Sequence, residues 1–179
     1  IRSLFGDESE PANNFPPETA ALGFANGEAH GPNPLLVESY LSAAEDIADR
    51  MVENHFLEIV SCDPEIIGSV NCGDAFIQEW GSKAFRRPLR FEEFLVFKEL
   101  YLQVFAMWDF ETAVELVLQA ILQSPQFLYR VELGIPASGD DMLVQLDGYE
   151  TASRLSYLLW NGPPDDTLLN LAASGALLD

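Results

Sequence analysis

The chain is 179 residues long, 48 % hydrophobic and 11 % aromatic, which suffices for one domain core or two small ones and excludes a disordered chain. Nine Lys and Arg against 29 Asp and Glu give a formal charge of −20, and this argues against nucleic acid and anionic membrane surfaces, because phosphate binding needs a broad cationic face. No run approaches the roughly 18 apolar residues of a transmembrane segment, and no charged-then-apolar leader opens the sequence.

Ile1-Arg-Ser-Leu-Phe-Gly6 places Ile1, Leu4 and Phe5 at helical spacing and stops at a glycine, as the last turn of a helix does. With the apolar run at the far end, Ala172 to Asp179, this suggests a window from a longer polypeptide. Residues 7 to 33 hold Pro11, Pro16, Pro17 and Pro32 with Gly23, Gly27 and Gly31, so a long Pro/Gly-rich loop is expected there. Phe15, Leu22 and Phe24 are its expected anchors to the core, and Asn26-Gly27 suits a tight turn. Asn33-Pro34 reads as a cap and first residue of an amphipathic helix over 34–58, with Leu36, Tyr40, Ala44, Ile47 and Met51 on one face. Glu38, Glu45, Asp46, Asp49 and Glu53 occupy the other, which reads as a solvated acidic face before a cation site.

A second helix is predicted over Asp74–Phe85, burying Phe76, Ile77, Trp80 and Ala84 and ending at Arg87-Pro88. A third over Phe91–Met107 is so rich in aromatic residues that it is expected at the centre of the fold. Asp109 caps a fourth running to Gln123, and Ser124-Pro125 is expected to cap a fifth reaching about Leu133. Beyond a linker at 134–141 and a short extended piece at 143–146, Asp147-Gly-Tyr-Glu150 has capping-box spacing and starts a helix that stops at Asn161-Gly162-Pro163. Asp165-Asp166 after Pro164 opens the last helix. The fold class is therefore all-α, about seven helices in an orthogonal or irregular bundle, in three units: 1–61, 62–133 and 134–179.

One cluster breaks the acidic pattern. Lys83, Arg86, Arg87 and Arg90 place four of nine cationic residues within eight positions. Arg86, Arg87, Arg130 and Arg154 all adjoin aromatic or apolar residues, so each is expected to bury its stem and fork onto a carboxylate or a helix C-terminus. The rival reading is an anion site for a carboxylate or sulfate where helical units meet.

Other chemistry is sparse. Neither His30 nor His55 sits in a motif, Ser124 and Ser156 lack a Gly-x-Ser-x-Gly turn, and no Asp-x-Asp-x-Asp-Gly loop suggests calcium. The catalytic residues, if any, stay unassigned, and no metal site is expected. The paired acids Asp140-Asp141 and Asp165-Asp166 do not form a cation cage by spacing.

Three motifs in order carry a resemblance: Gly81-Ser-Lys-Ala-Phe-Arg-Arg-Pro-Leu89; Leu118-Gln-Ala-Ile-Leu-Gln-Ser-Pro-Gln-Phe-Leu-Tyr-Arg-Val-Glu132; and Leu146-Asp-Gly-Tyr-Glu-Thr-Ala-Ser-Arg-Leu-Ser-Tyr-Leu-Leu-Trp160 with Pro163-Pro-Asp-Asp-Thr-Leu-Leu169. With the opening Ile1 to Gly6, Gly23-Phe-Ala-Asn26 and Pro34 to Leu41, the chain resembles planctomycete and myxobacterial surface proteins built from serial domains of unknown function, often fused to cytochrome c. The resemblance implies a secreted or envelope-associated, largely helical protein and no particular reaction. Relatives usually carry Thr or Ser as a helix cap where this chain has Arg90, so that cap must be met otherwise. No Cys-x-x-Cys-His motif is present, so no cofactor is expected in this segment, and a haem c of the parent would lie elsewhere. In such a secreted setting Cys62 and Cys72, which lack zinc-ligand spacing, read as a disulfide, with two reduced buried thiols as the other reading. The expected role is a scaffold or docking module of a larger extracytoplasmic redox protein, its partners being other segments or domains of the same polypeptide or complex. The alternative is a part of an envelope enzyme's active site, oxidative or hydrolytic on a polymer, completed by other segments.

Overall fold

The computed structural model describes residues 1–16, 34–136 and 144–178. Among these are nine α-helices, four of them conforming closely to the predicted bounds: α1 (Arg2–Phe5), α2 (Pro34–Ile59), α3 (Pro64–Ile67), α4 (Ser69–Phe85), α5 (Phe91–Met107), α6 (Phe110–Gln123), α7 (Pro125–Leu128), α8 (Gly148–Trp160) and α9 (Asp166–Ala173). A 3-10 turn at Pro11–Asn14 lies in the Pro-rich stretch, and β1 (Ile135–Pro136) pairs antiparallel with β2 (Val144–Gln145). The fold is all-α. Leu22, Phe24, the Asn26-Gly27 turn, His30, the Asn33 cap and Asp140-Asp141 lie outside the described residues.

The centre of the bundle is α6, against which α2, α4 and α5 pack. Its Ala113, Val114, Val117, Leu118, Ile121 and Leu122 are all buried. This corrects the expectation that 91–107 would be central: α5 buries only Phe97, Tyr101 and Val104, and Phe91, Leu95, Val96 and Leu102 are exposed. The aromatic content of α5 is wide, but a single stripe faces the core. Tyr101 lies under α4, where its hydroxyl donates to the Ser69 carbonyl oxygen at 2.7 Å. Burial, with Asp74 nearby, pushes its pKa up to about 12.

Helix α2 buries Ala44, Ile47, Ala48 and Met51 and leaves Glu38, Glu45, Asp46, Asp49 and Glu53 exposed, as the periodicity requires. It kinks at His55, which has φ −132° and ψ 23°. Helix α4 starts five residues before the predicted Asp74, because Gly68 takes φ 86° and lets the chain re-enter a helix immediately after α3. Cys62 and Cys72 are disulfide-bonded, with Cα atoms 5.7 Å apart, so the α3 turn is clipped to α4. Trp80 donates its indole N–H to the Ile59 carbonyl oxygen at 2.6 Å, and Phe5 stacks on its ring at 4.8 Å. Asp7 accepts from Arg50 at 2.6 Å, and Phe15 packs edge-on against Tyr40, so the N-terminal segment is fastened to α2.

Helix α7 is a correction. It stops at Leu128 rather than near Leu133, and Ser124 does not cap it: the Ser124 hydroxyl turns back and donates to the Ile121 carbonyl oxygen at 2.6 Å, satisfying the end of α6 instead. At α8 the capping box forms as expected, with Asp147 accepting from the Glu150 N–H at 2.7 Å and Glu150 accepting from the Asp147 N–H at 2.9 Å. Helix α9 is capped by Asp165 and packs on α8.

Candidate functional site

Arg86 terminates α4 in the left-handed region at φ 59°, two residues before Pro88, and its side chain turns inward. It is only 7 % exposed. The guanidinium donates to the carbonyl oxygens of Gln126 (2.6 Å), Tyr129 (2.9 Å), Ala84 (3.3 Å) and Phe127 (3.4 Å). Three of these are the carbonyls left over where α7 breaks into extended chain, so one cation closes the ends of α4 and α7 together. Burial lowers its pKa from the ordinary guanidinium value, and the Tyr157 hydroxyl opposes that. Arginine still carries its charge.

Arg87 points the other way. Its two terminal nitrogens donate to the two oxygens of Glu93 at 2.8 and 2.7 Å, and one also donates to the Pro88 carbonyl oxygen at 3.0 Å. Glu93 accepts in addition from the Arg90 N–H at 2.8 Å. That bond is the answer to the missing Thr or Ser cap: arginine has no side-chain acceptor, so only the glutamate half of the capping box operates at α5. The fork of Arg87 holds Glu93 below the ordinary carboxylate range.

On the facing side, Arg130 lies over the Tyr157 ring at 4.7 Å, and Arg154 donates from Nε (3.2 Å) and from a terminal nitrogen to the two oxygens of Glu132. Glu150 accepts the N–H groups of Leu133 (2.7 Å) and Gly134 (3.0 Å) as well as its own cap bond. Burial raises its pKa, but these backbone donors outweigh that and bring it below the ordinary range. Thus α8 is fastened to the strand-like segment after α7 by polar and cation–π contacts.

These groups enclose an open cleft of about 110 Å³ between the Arg-Arg-Pro corner, the segment after α7 and the start of α8. Arg86, Arg87, Arg90 and Arg130 line it together with the carboxylates Glu132, Asp147 and Glu150. Of the arginines singled out from sequence, Arg86, Arg87, Arg90 and Arg130 come together here, and Arg154 is held by Glu132, which also lines the cleft. Asp147 and Glu150 were not foreseen as its neighbours. The capping box did signal Glu150, but not its grip on residues sixteen and seventeen positions earlier.

Ser156 and His55 do not line this cleft. The Ser156 hydroxyl is buried and donates to the Ser153 carbonyl oxygen at 3.0 Å. His55 Nδ1 lies 3.2 Å from Glu58 without hydrogen-bond geometry. Among the described residues no group of three or more His, Cys, Asp and Glu side chains is arranged to hold a metal, and no helix is long and apolar enough to cross a membrane.

Three protein-family models match the chain, each described as a protein of unknown function: PSD3 (DUF1587) over residues 1–53, PSD5 (DUF1595) over 72–132 and PSD4 (DUF1592) over 146–179. The chain carries three domains of unknown function in series. No curated protein and no solved structure matches it. The arginine cleft falls between the PSD5 and PSD4 stretches: Arg86, Arg87, Arg90 and Arg130 come from the former, Asp147, Glu150, Arg154 and Tyr157 from the latter. The disulfide joins Cys62, outside any matched stretch, to Cys72, the first residue matched by PSD5.

Proposed function

We propose that this chain is a helical scaffold and docking module of a larger extracytoplasmic protein in a cytochrome-linked redox setting. Its partners are other segments or domains of the same polypeptide or complex, and its sequential units are 1–61, 62–133 and 134–179. The observation that carries the docking role is the exposure of large apolar side chains on α8 and α9: Leu158 is 77 % and Leu159 71 % exposed, and Trp160 and Leu171 are exposed as well. Burying such side chains is worth about 1.5 to 3 kcal/mol each, and a concentration of exposed large apolar side chains is a mark of interaction sites. The disulfide supports an oxidising compartment. Fastened arginines support a scaffold, since Arg86, Arg87 and Arg154 each spend their donors on protein acceptors.

The test uses the intact native protein. Leu158→Asp with Leu159→Asp should release the partner segment, read as faster proteolytic separation of the two parts with α6 still protected from hydrogen exchange. Unchanged proteolysis sinks the docking role. An absorption spectrum of the same preparation decides the redox setting, and a featureless one removes the cytochrome link.

A further inference from the structure

The cleft divides its cations into two kinds. Arg86 is engaged by four backbone carbonyls, and Arg87 by the Pro88 carbonyl and both oxygens of Glu93. The Arg90 and Arg130 guanidinium groups are not so engaged. Among the described residues Arg90 donates no side-chain hydrogen bond, and its pull on Glu93 is electrostatic only, toward a carboxylate whose oxygens already accept from Arg87 and from the Arg90 backbone N–H. Arg130 has the face of Tyr157 beneath it, which leaves its N–H edge without a carboxylate among the described residues. The acids lining the cleft, by contrast, are engaged: both Glu150 oxygens take backbone N–H groups, Asp147 takes the Glu150 N–H, and Glu132 is held by Arg154. A chain of net charge −20 thus keeps four guanidinium groups around one small opening, two of them with donors to spare.

The geometry points to a binding site for a single oxyanion group, a carboxylate or a sulfate, in this cleft, with Arg90 and Arg130 as its ligands and Arg86 and Arg87 as fixed positive surroundings. Guanidinium forks match the paired oxygens of such groups, and an aromatic ring under Arg130 sets the plane of its fork. The opening is about 110 Å³ and faces solvent, so it admits one such group and leaves any larger molecule carrying it outside. Its ligands come from the PSD5 stretch and its far wall from the PSD4 stretch. This site is independent of the exposed apolar side chains on which the docking role rests.

The test is a titration of the chain with sodium sulfate, and separately with sodium acetate, against sodium chloride at matched ionic strength, followed by amide and arginine side-chain NMR. Saturable shifts at Arg90 and Arg130 are expected in the wild type. Arg90→Gln should weaken the binding about tenfold, as expected for losing one charge-assisted pair, with the melting temperature in chloride unchanged. Arg130→Gln should do the same, and if that variant does not fold, Arg90→Gln alone decides. Sulfate also stabilises proteins by exclusion from their surface, so the decisive comparison is between wild type and variant. Equal responses of wild type and Arg90→Gln, or shifts that never saturate, overturn the site. A second arm uses dextran sulfate and polygalacturonate: tighter binding per group than the free ions identifies a polymer-borne anion, and equal binding identifies the free one.

Discussion

The buried guanidinium of Arg86 donates to the carbonyl oxygen of Gln126 at 2.6 Å, across forty positions of sequence. With Tyr129 and Phe127 it collects the unsatisfied carbonyls of α7, and this explains why α7 stops after one turn: the backbone that would continue the helix is tied to another helix's end. Removing the cation leaves these acceptors without partners in a buried site. Arg86→Met is expected to destabilise the fold by about 3 kcal/mol, measured by urea denaturation. Arg86→Lys should recover less than half, because an ammonium cannot span the fan of carbonyls. A loss below about 1 kcal/mol for Arg86→Met would show that water replaces the guanidinium, and the junction would need another explanation.

The pair of Arg87 and Glu93 gives a pH dependence with a definite sign. Glu93 is more acidic in the fold than in the unfolded chain, first because Arg87 donates to it. Its contribution is therefore fully present above the unfolded glutamate pKa of about 4.3 and is lost as pH falls through the lower folded value. Arg87→Lys breaks the two-bond fork and should cost about 1 kcal/mol near neutral pH. The difference between variant and wild type should shrink steadily as pH is taken from about 6 to 3. Unfolding free energies across that range decide it. A difference that is flat with pH would mean that the loss comes from packing on Phe85, over which Arg87 also lies.

The Cys62–Cys72 bridge closes a loop with a sequence separation of 10. Loop-closure entropy assigns such a bridge about 2 to 3 kcal/mol. Cys62→Ser with Cys72→Ser should lose at least that amount, and so should Cys72→Ser alone, because both also place a hydroxyl in the apolar core where Cys72 is fully buried. The comparison is a thermal melt of each variant beside the oxidised and reduced wild type. If reduction leaves the melt unmoved, the bridge does not constrain the unfolded chain.

What the residues disclosed and what they concealed follow one physical line. Local chemistry was legible: the Asp147 and Glu150 box, the bounds of α5 and the acidic face of α2 all depend on residues within a turn or two of each other. The centre of the bundle was not, because α5 and α6 are both strongly apolar and only packing decides that Val114 and Leu118 are enclosed while Phe91 and Val96 face out. Ser124 misled for a related reason. Its position before Pro125 fits a cap, but the four-residue α7 offers its hydroxyl less than the open carbonyl of Ile121 does. The cleft was half legible. Clustered arginines in an acidic chain marked the place, whereas the distinction between the saturated Arg86 and the unsaturated Arg90 depends on carbonyls some forty residues away.

Gly148 offers a way to separate the α8–α9 pair from the rest. It is buried at the first turn of α8, where a Cβ would stand 2.7 Å from the Ala172 carbonyl oxygen and 3.2 Å from the Ala172 Cα. Both are backbone atoms, so α9 cannot accommodate the methyl group by a side-chain rotation and must shift as a whole. Gly148→Ala should therefore destabilise the α8–α9 pair by about 2 kcal/mol, even though alanine is the better helix former. If 134–179 unfolds as a unit of its own, amides of α8 and α9 should exchange about thirtyfold faster, while those of α6 keep their wild-type rates. Equal acceleration in α6 would show instead that the polar staples at Glu150, Arg154 and Tyr157 couple the third unit to the core so firmly that the chain opens as one.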